Sequence, residues 1–177
     1  MPPPRKGYTV KGLSTIAEKV AAVKMSSQRS RENQPEPEQK CKLIIGWREM
    51  ISIPEWGITK LHAKMDTGAR SSAIDVASSE ILPEGRVRFE VVLDRKKRDR
   101  KRIIEASISR RTSIRSSTGE TRNRLMVLVQ VKIGPIVKPV EFSLVCRKNM
   151  LCRALLGRRA LEGDFLIDPT RKYSFNS

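Results

Sequence analysis

A mostly β domain, closed or sandwich-like, with one short helix near its end, is the fold class this sequence predicts. Three observations lead there. From Cys41 onward the chain is a series of short apolar runs broken by Gly, Pro and charged residues. Several of these runs alternate with period two, as in RVRFEVVLD, where Val87, Phe89 and Val91 face one way and Arg86, Arg88 and Glu90 the other. Strand and helix patterns do not alternate as a parallel α/β sheet requires.

The elements follow in order. KLIIGWREMISI reads as a strand pair or one bent strand, closed by Pro54. ITKLHAKM runs into Asp66, and SSAIDV leaves the Asp-Thr-Gly turn behind it. RVRFEVVLD and RIIEASIS come next, then a polar stretch from Arg110 to Arg124. RLMVLVQVKIG and VKPVEFSLVC flank Gly134-Pro135, a hairpin signal. RALLGRRALEG combines an apolar run, a glycine and a short helical stretch stopped by Gly163, and FLIDP supplies a last strand. Residues 1–40 differ in texture. They form a basic tail with a Pro run at one end and a polar, Pro-containing linker at the other, with too little apolar content to pack. Within it Ile16, Val20 and Val23 line one side of a marginal helix from Ser14. Residues 41–177 are the expected folded domain.

The formal net charge is +17, which points to an acidic partner and is silent about fold. Residues 86–124 hold fourteen Lys/Arg against five Asp/Glu, so much of the basicity lies inside the domain. That segment reads either as a solvated loop or as an electrostatic footprint for an acidic ligand. No apolar run approaches the roughly 18 residues of a membrane-spanning helix, and the basic N-terminus has no apolar core of a secretory signal. Cys41, Cys146 and Cys152 cannot all pair and show no C-x-x-C spacing, which fits a reducing cytoplasm.

Asp66-Thr67-Gly68 alone would be an ordinary turn. With a strand on each side, and with ALLGRR and a short helix much later, the pattern is similar to a retropepsin-type aspartic protease lobe, a closed, barrel-like β fold. Four ordered segments narrow this. IGWREMISIPEWGI, AKMDTGARSSA, IRSSTGETR and LLGRRALEGDFLIDP resemble the bacterial ATP-dependent zinc protease family, a retropepsin-like group, over about residues 43–173.

The resemblance implies peptide-bond hydrolysis with Asp66 as the catalytic carboxylate. Such chemistry uses two carboxylates sharing one proton, one acting as base toward water and the other as donor to the carbonyl. The sequence has one Asp-Thr-Gly and no later D-[ST]-G, so the dyad requires a homodimer with one Asp66 from each chain. Thr67 would tie the two Asp loops together, Gly68 would let backbone approach the carboxylate, and Ala69 would floor the substrate cleft. Leu155, Leu156 and Gly157 match the apolar-apolar-Gly segment that buttresses the site, and Arg158 fills the position after it. Arg70 either binds a substrate carboxylate or makes a buried salt bridge. A mobile flap is expected from about Thr112 to Asn123, with its tip at Ser116, Ser117, Thr118 and Gly119 and with Arg115, Arg122 and Arg124 beside it.

The other carboxylates read as structural: Asp75 as a turn or edge residue and Asp168 as a terminal turn. The residues supply no zinc or ATP site. His62 is the only histidine and falls on a strand face, no H-E-x-x-H exists, Cys146 and Cys152 are poorly spaced, and there is no P-loop. No metal and no cofactor are therefore expected. Relatives associated with ATP-grasp ligases that attach glutamate imply such a ligase as functional partner and an acidic or glutamylated peptide as substrate. The second reading is a non-catalytic basic module binding peptide or RNA on the same fold. Few aromatics interleave with the basic runs, which disfavours base stacking and hence nucleic acid.

Overall fold

The computed structural model describes residues 41–115 and 121–175. The tail at 1–40, with its expected helix, and the expected flap tip, Ser116 to Gly119, lie outside the described residues. Ten strands dominate: β1 (Leu43–Gly46), β2 (Arg48–Ile53), β3 (Ile58–Asp66), β4 (Ser72–Leu82), β5 (Arg86–Val92), β6 (Lys101–Arg115), β7 (Thr121–Ile133), β8 (Ile136–Val145), β9 (Ala154–Gly157) and β10 (Phe165–Asp168). The helix is the single turn α1 (Arg158–Leu161), and a 3₁₀ turn at Pro54–Trp56 follows β2. The mostly β class is borne out. KLIIGWREMISI is a strand pair in sequence but not in space, because β1 pairs in parallel with β10 while β2 pairs with β3.

Period-two patterning explains the core. In β5, Val87, Phe89 and Val91 are buried, as expected, while Arg86 and Arg88 face solvent. They meet Ile51, Ile53, Leu61, Ile74, Val127, Val131, Phe142 and Leu156 in one apolar cluster. Trp56 closes it with an edge contact on Phe89, 5.3 Å between centroids. Gly134 takes φ +56° to turn β7 into β8, and Gly163 takes φ +83° just after α1; both are left-handed conformations that glycine tolerates.

Pairing runs β2-β3-β9-β4-β5-β6-β7-β8, with further ladders from β2 to β7 and from β4 to β8. The ladders therefore close on themselves through β2, β3, β9, β4, β8 and β7. Closure protects most strand edges. The polar stretch Arg110 to Arg124, where a hairpin was expected from about Thr112, is the continuation of β6 and β7, paired as far as Arg115 opposite Thr121.

The feature that positions the site is β9. It lies between β3 and β4, parallel to the first and antiparallel to the second, with Asp66 opposite Gly157. The loop joining β3 to β4 must then arch over the end of β9. The approach is close: a Cβ on Gly157 would sit 2.7 Å from Ser71 backbone carbon and oxygen and 2.9 Å from Ala69 oxygen. Only a residue without a side chain fits there.

A second device holds the neighbouring loops. Asp75 is not at a turn or edge; it is fully buried in β4, and this reading of the sequence is corrected. Its Oδ2 accepts from Arg153 Nη1 and, at 2.7 Å, from Arg98 Nη1, and its Oδ1 accepts the Arg147 N–H at 2.6 Å. Arg153, itself buried, also donates to the carbonyls of Arg147 and Met150. A burial this deep needs such partners, since an isolated ion in the interior is costly. One carboxylate thus anchors the loop after β5 and the loop between β8 and β9.

Two outcomes follow from these contacts. Gly157→Ala should lower the urea-unfolding free energy by about 2–3 kcal/mol, because backbone rather than a flexible side chain must yield. Asp75→Asn should cost about 3–5 kcal/mol in the same measurement, because Arg153 loses its buried counter-charge.

Candidate active site

Asp66 ends β3, and the following loop turns back at once: the Ala69 N–H donates to Asp66 O at 3.2 Å and the Gly68 N–H to Asp66 Oδ1 at 3.1 Å. Gly68 earns its place by space, since a Cβ there would sit 3.3 Å from Oδ1. Asp66 Oδ2 receives Lys64 Nζ at 3.0 Å. Lys64 and Asp66 are two residues apart on one strand and so share a face. Burial works to raise the Asp66 pKa. The Lys64 hydrogen bond and charge, with the Gly68 and Ala69 N–H groups, outweigh it and hold the carboxyl below the ordinary aspartate value. The fold thus favours ionised Asp66, and that stabilisation is lost as pH falls below the usual aspartate range.

The loop is held from below by β9 and α1. The Arg158 N–H donates to Ala69 O at 2.8 Å and the Arg159 N–H to Arg70 O at 3.3 Å. The Arg158 guanidinium reaches Thr67 O at 2.9 Å and Gly68 O at 3.0 Å. Ser72 Oγ accepts the Gly157 N–H at 3.2 Å, and Leu156 is fully buried beneath. Thr67, Gly68, Leu156, Gly157 and Arg158 are therefore brought together around Asp66. Thr67 is exposed and contributes its carbonyl to this frame.

Two recesses open beside the loop. A groove of about 450 Å³ is lined by Trp47, Lys64, Asp66, Arg147, Met150, Leu151, Cys152 and Leu155. Asp66 is the one acid among these residues. A second cleft of about 420 Å³ includes Ala69, Arg70, Arg110, Arg124, Ser143 and Arg159, with no acid in its lining. Arg110 is paired with Glu141 at 2.7 Å. Arg70, Arg124 and Arg159 make no ion pair with a carboxylate among the described residues. Of the two roles open to Arg70, the buried salt bridge is thus not made there; the side chain is exposed. The Ser143 hydroxyl is buried at the cleft without a hydrogen-bond partner among the described residues.

Arg115 lies at the end of β6, and the strands carrying it and Arg124 form one hairpin. Lys64, Arg110, Ser143 and Arg159 were not singled out from the sequence. Lys64 was recoverable from strand alternation; the other three come from separate strands and the helix, and no local pattern joins them.

No group of three or more His, Cys, Asp or Glu that could hold a metal lies among the described residues. His62 Nδ1 is engaged by Tyr173 Oη at 2.8 Å. The described residues do not fit a zinc centre. Asp168 caps its own turn, accepting from the Thr170 N–H at 2.8 Å.

Comparison with known proteins bears on this arrangement. The model of the RimB-like family, described as retropepsin-like aspartic endopeptidase RimB, matches residues 44–176. Proteins named probable alpha-L-glutamate ligase from Shewanella pealeana and Desulfotalea psychrophila are 32% and 33% identical over 135 and 136 residues. Those matches take in 75% and 72% of this chain but only 30% and 28% of theirs, so the chain spans less than a third of these relatives' length. Among solved structures, a Legionella pneumophila protein of unknown function, Lpg0085, aligns with a TM-score of 0.65 at 24% identity, over 77% of this chain and 100% of that one. That likeness bears on the fold alone. By the family match and the Asp loop that β9 and α1 support, this chain belongs to the RimB-like, retropepsin-like family.

Proposed function

We propose that the protein hydrolyses peptide bonds as a homodimeric aspartic peptidase, each subunit supplying Asp66. The observation that carries this reading is the Asp66 loop itself. A carboxylate stands at a strand end, ionised at ordinary pH and hydrogen-bonded by Gly68 N–H, on a frame braced by five contacts from Gly157, Arg158 and Arg159. Such rigidity suits a base that must hold water in one geometry.

In the proposed reaction one Asp66 of the dimer is ionised and the other protonated. The ionised carboxylate takes a proton from water as its oxygen attacks the peptide carbon. The protonated carboxyl donates to the carbonyl oxygen. Collapse of the tetrahedral intermediate then returns a proton to the leaving amine. Thr67 hydroxyls would link the two loops across the axis, and Ala69 would floor the cleft. The hairpin of β6 and β7, with Arg115 and a tip at Ser116, Ser117, Thr118 and Gly119, would close over the substrate.

The substrate is an acidic or glutamylated peptide or protein. Arg70 and Arg124, which make no ion pair among the described residues, line one cleft with Arg159, which lies within electrostatic reach of Glu141, beside a buried hydroxyl with no hydrogen-bond partner among the described residues. Relatives named as glutamate ligases contain a stretch similar to this chain within a longer protein, which supports an ATP-grasp ligase as functional partner, adding glutamates that this chain removes. We place this in the cytoplasm, with residues 1–40 as a basic tail outside the peptidase domain and without metal or cofactor.

The basic cleft also favours a second reading, a non-catalytic module that binds acidic peptide or RNA backbone. Cleavage of a mixed peptide library decides between them. Wild type should cut, Asp66→Asn should lose at least 10³-fold in rate, about 4 kcal/mol, and a chelator should change neither. Sedimentation should show a dimer, and the pH-rate profile should be bell-shaped. Binding without cleavage by a folded dimer favours the module, and loss of activity with chelator overturns the aspartic mechanism.

A further inference from the structure

Both oxygens of Asp66 are already engaged in the protomer. Oδ1 accepts from Gly68 N–H and Oδ2 from the Lys64 ammonium. A carboxylate capped by an ammonium is a weak base, and the ammonium fills an acceptor position on Oδ2 that a water would otherwise use. Lys64 is not itself locked. Its side chain is 47% exposed, against 22% for Asp66, and its four-carbon stem allows the charge to swing away.

The groove the two residues share tells what would move it. Trp47, Met150, Leu151 and Leu155 provide apolar wall, and Met150 and Leu151 are exposed there. Lys64 and Arg147 are the cations, and no acid other than Asp66 lines the groove. A neutral side chain could occupy the walls but would leave the ammonium on Asp66. An acidic one gives Lys64 a new counter-ion at the moment its stem packs on the walls.

We propose that Lys64 is the specificity-determining residue for the substrate position flanking the scissile bond: a substrate carboxylate bound in this groove draws the ammonium off Asp66 Oδ2 and frees that oxygen for water. The step is an exchange of ion pairs, with no bond made or broken. The inference rests on the peptidase reading and adds to it a discriminating contact at the carboxylate itself, separate from the arginine cleft, with which this groove shares no lining residue. The Lys64 charge also holds Asp66 ionised, so a variant lacking it should show the acid limb of activity at higher pH.

Two experiments on the full chain test this. In a random octapeptide library read by mass spectrometry, wild-type cuts should be enriched at least fivefold for Asp or Glu over Asn or Gln at a position flanking the cut. Lys64→Met should abolish that enrichment while keeping the acidic preference further out. Retained enrichment in Lys64→Met, or none in wild type, overturns the proposal. If wild type cuts nothing, it is the peptidase reading that fails, and binding of labelled hexaglutamate decides the role of Lys64 separately. Lys64→Met should weaken it at least fivefold, whereas Lys60→Met, an equal loss of charge on the same strand, should change it less than twofold. Equal effects of the two variants overturn the proposal.

Discussion

The site depends on one close approach, the passage of the Asp66 loop over the backbone of Gly157. Strands that are consecutive in sequence would ordinarily pair along their length. Here β9 occupies the space between β3 and β4, so the connection between them cannot lie flat and has to arch. That arch turns its carbonyls away from any strand ladder. Arg158 and Arg159 receive them instead: two N–H groups at the start of α1 and one guanidinium bond the carbonyls of Thr67, Gly68, Ala69 and Arg70.

Charge in this protein is of two kinds. Inside, Arg153 and Arg98 are balanced against Asp75, which ties together loops from distant parts of the chain. Outside, Arg70, Arg124 and Arg159 face a cleft with no acid in its lining. The first kind costs desolvation and returns geometry, since the ion pair has one satisfactory arrangement. The second kind stays in contact with water, and its attraction for an anion should be screened by salt in proportion to its exposure. Lys64 belongs to neither group, because its partner is the carboxylate on which the proposed chemistry turns.

Most of the fold was legible because period-two patterning and glycine punctuation report local structure directly. β5 read correctly from Val87, Phe89 and Val91, and Gly134 and Gly163 marked a real hairpin and a real helix end. The Asp66 frame was legible for a different reason: Asp-Thr-Gly and ALLGRR are short motifs whose residues must each satisfy a contact. Pairing partners were less so. Nothing in LIIG indicates that it joins a strand more than a hundred residues away, and the extension of β6 and β7 through polar sequence shows that hairpin pairing overrode composition. Asp75 was misread because a buried carboxylate looks like any turn aspartate until its three arginine partners are brought to it by the fold.

The distance along the chain between the two halves of the frame has a consequence for biosynthesis. The arginine that fixes the Asp loop lies 91 residues beyond Thr67, and β9 cannot insert between β3 and β4 until it has been made. Contacts of such long span form late. During translation Asp66 is thus carried on an unbraced turn while most of the domain emerges, and the loop acquires its bracing only when nearly the whole fold has closed around it. Assembly of this loop is therefore set by chain order, the last-made strands fixing a residue near the start of the domain.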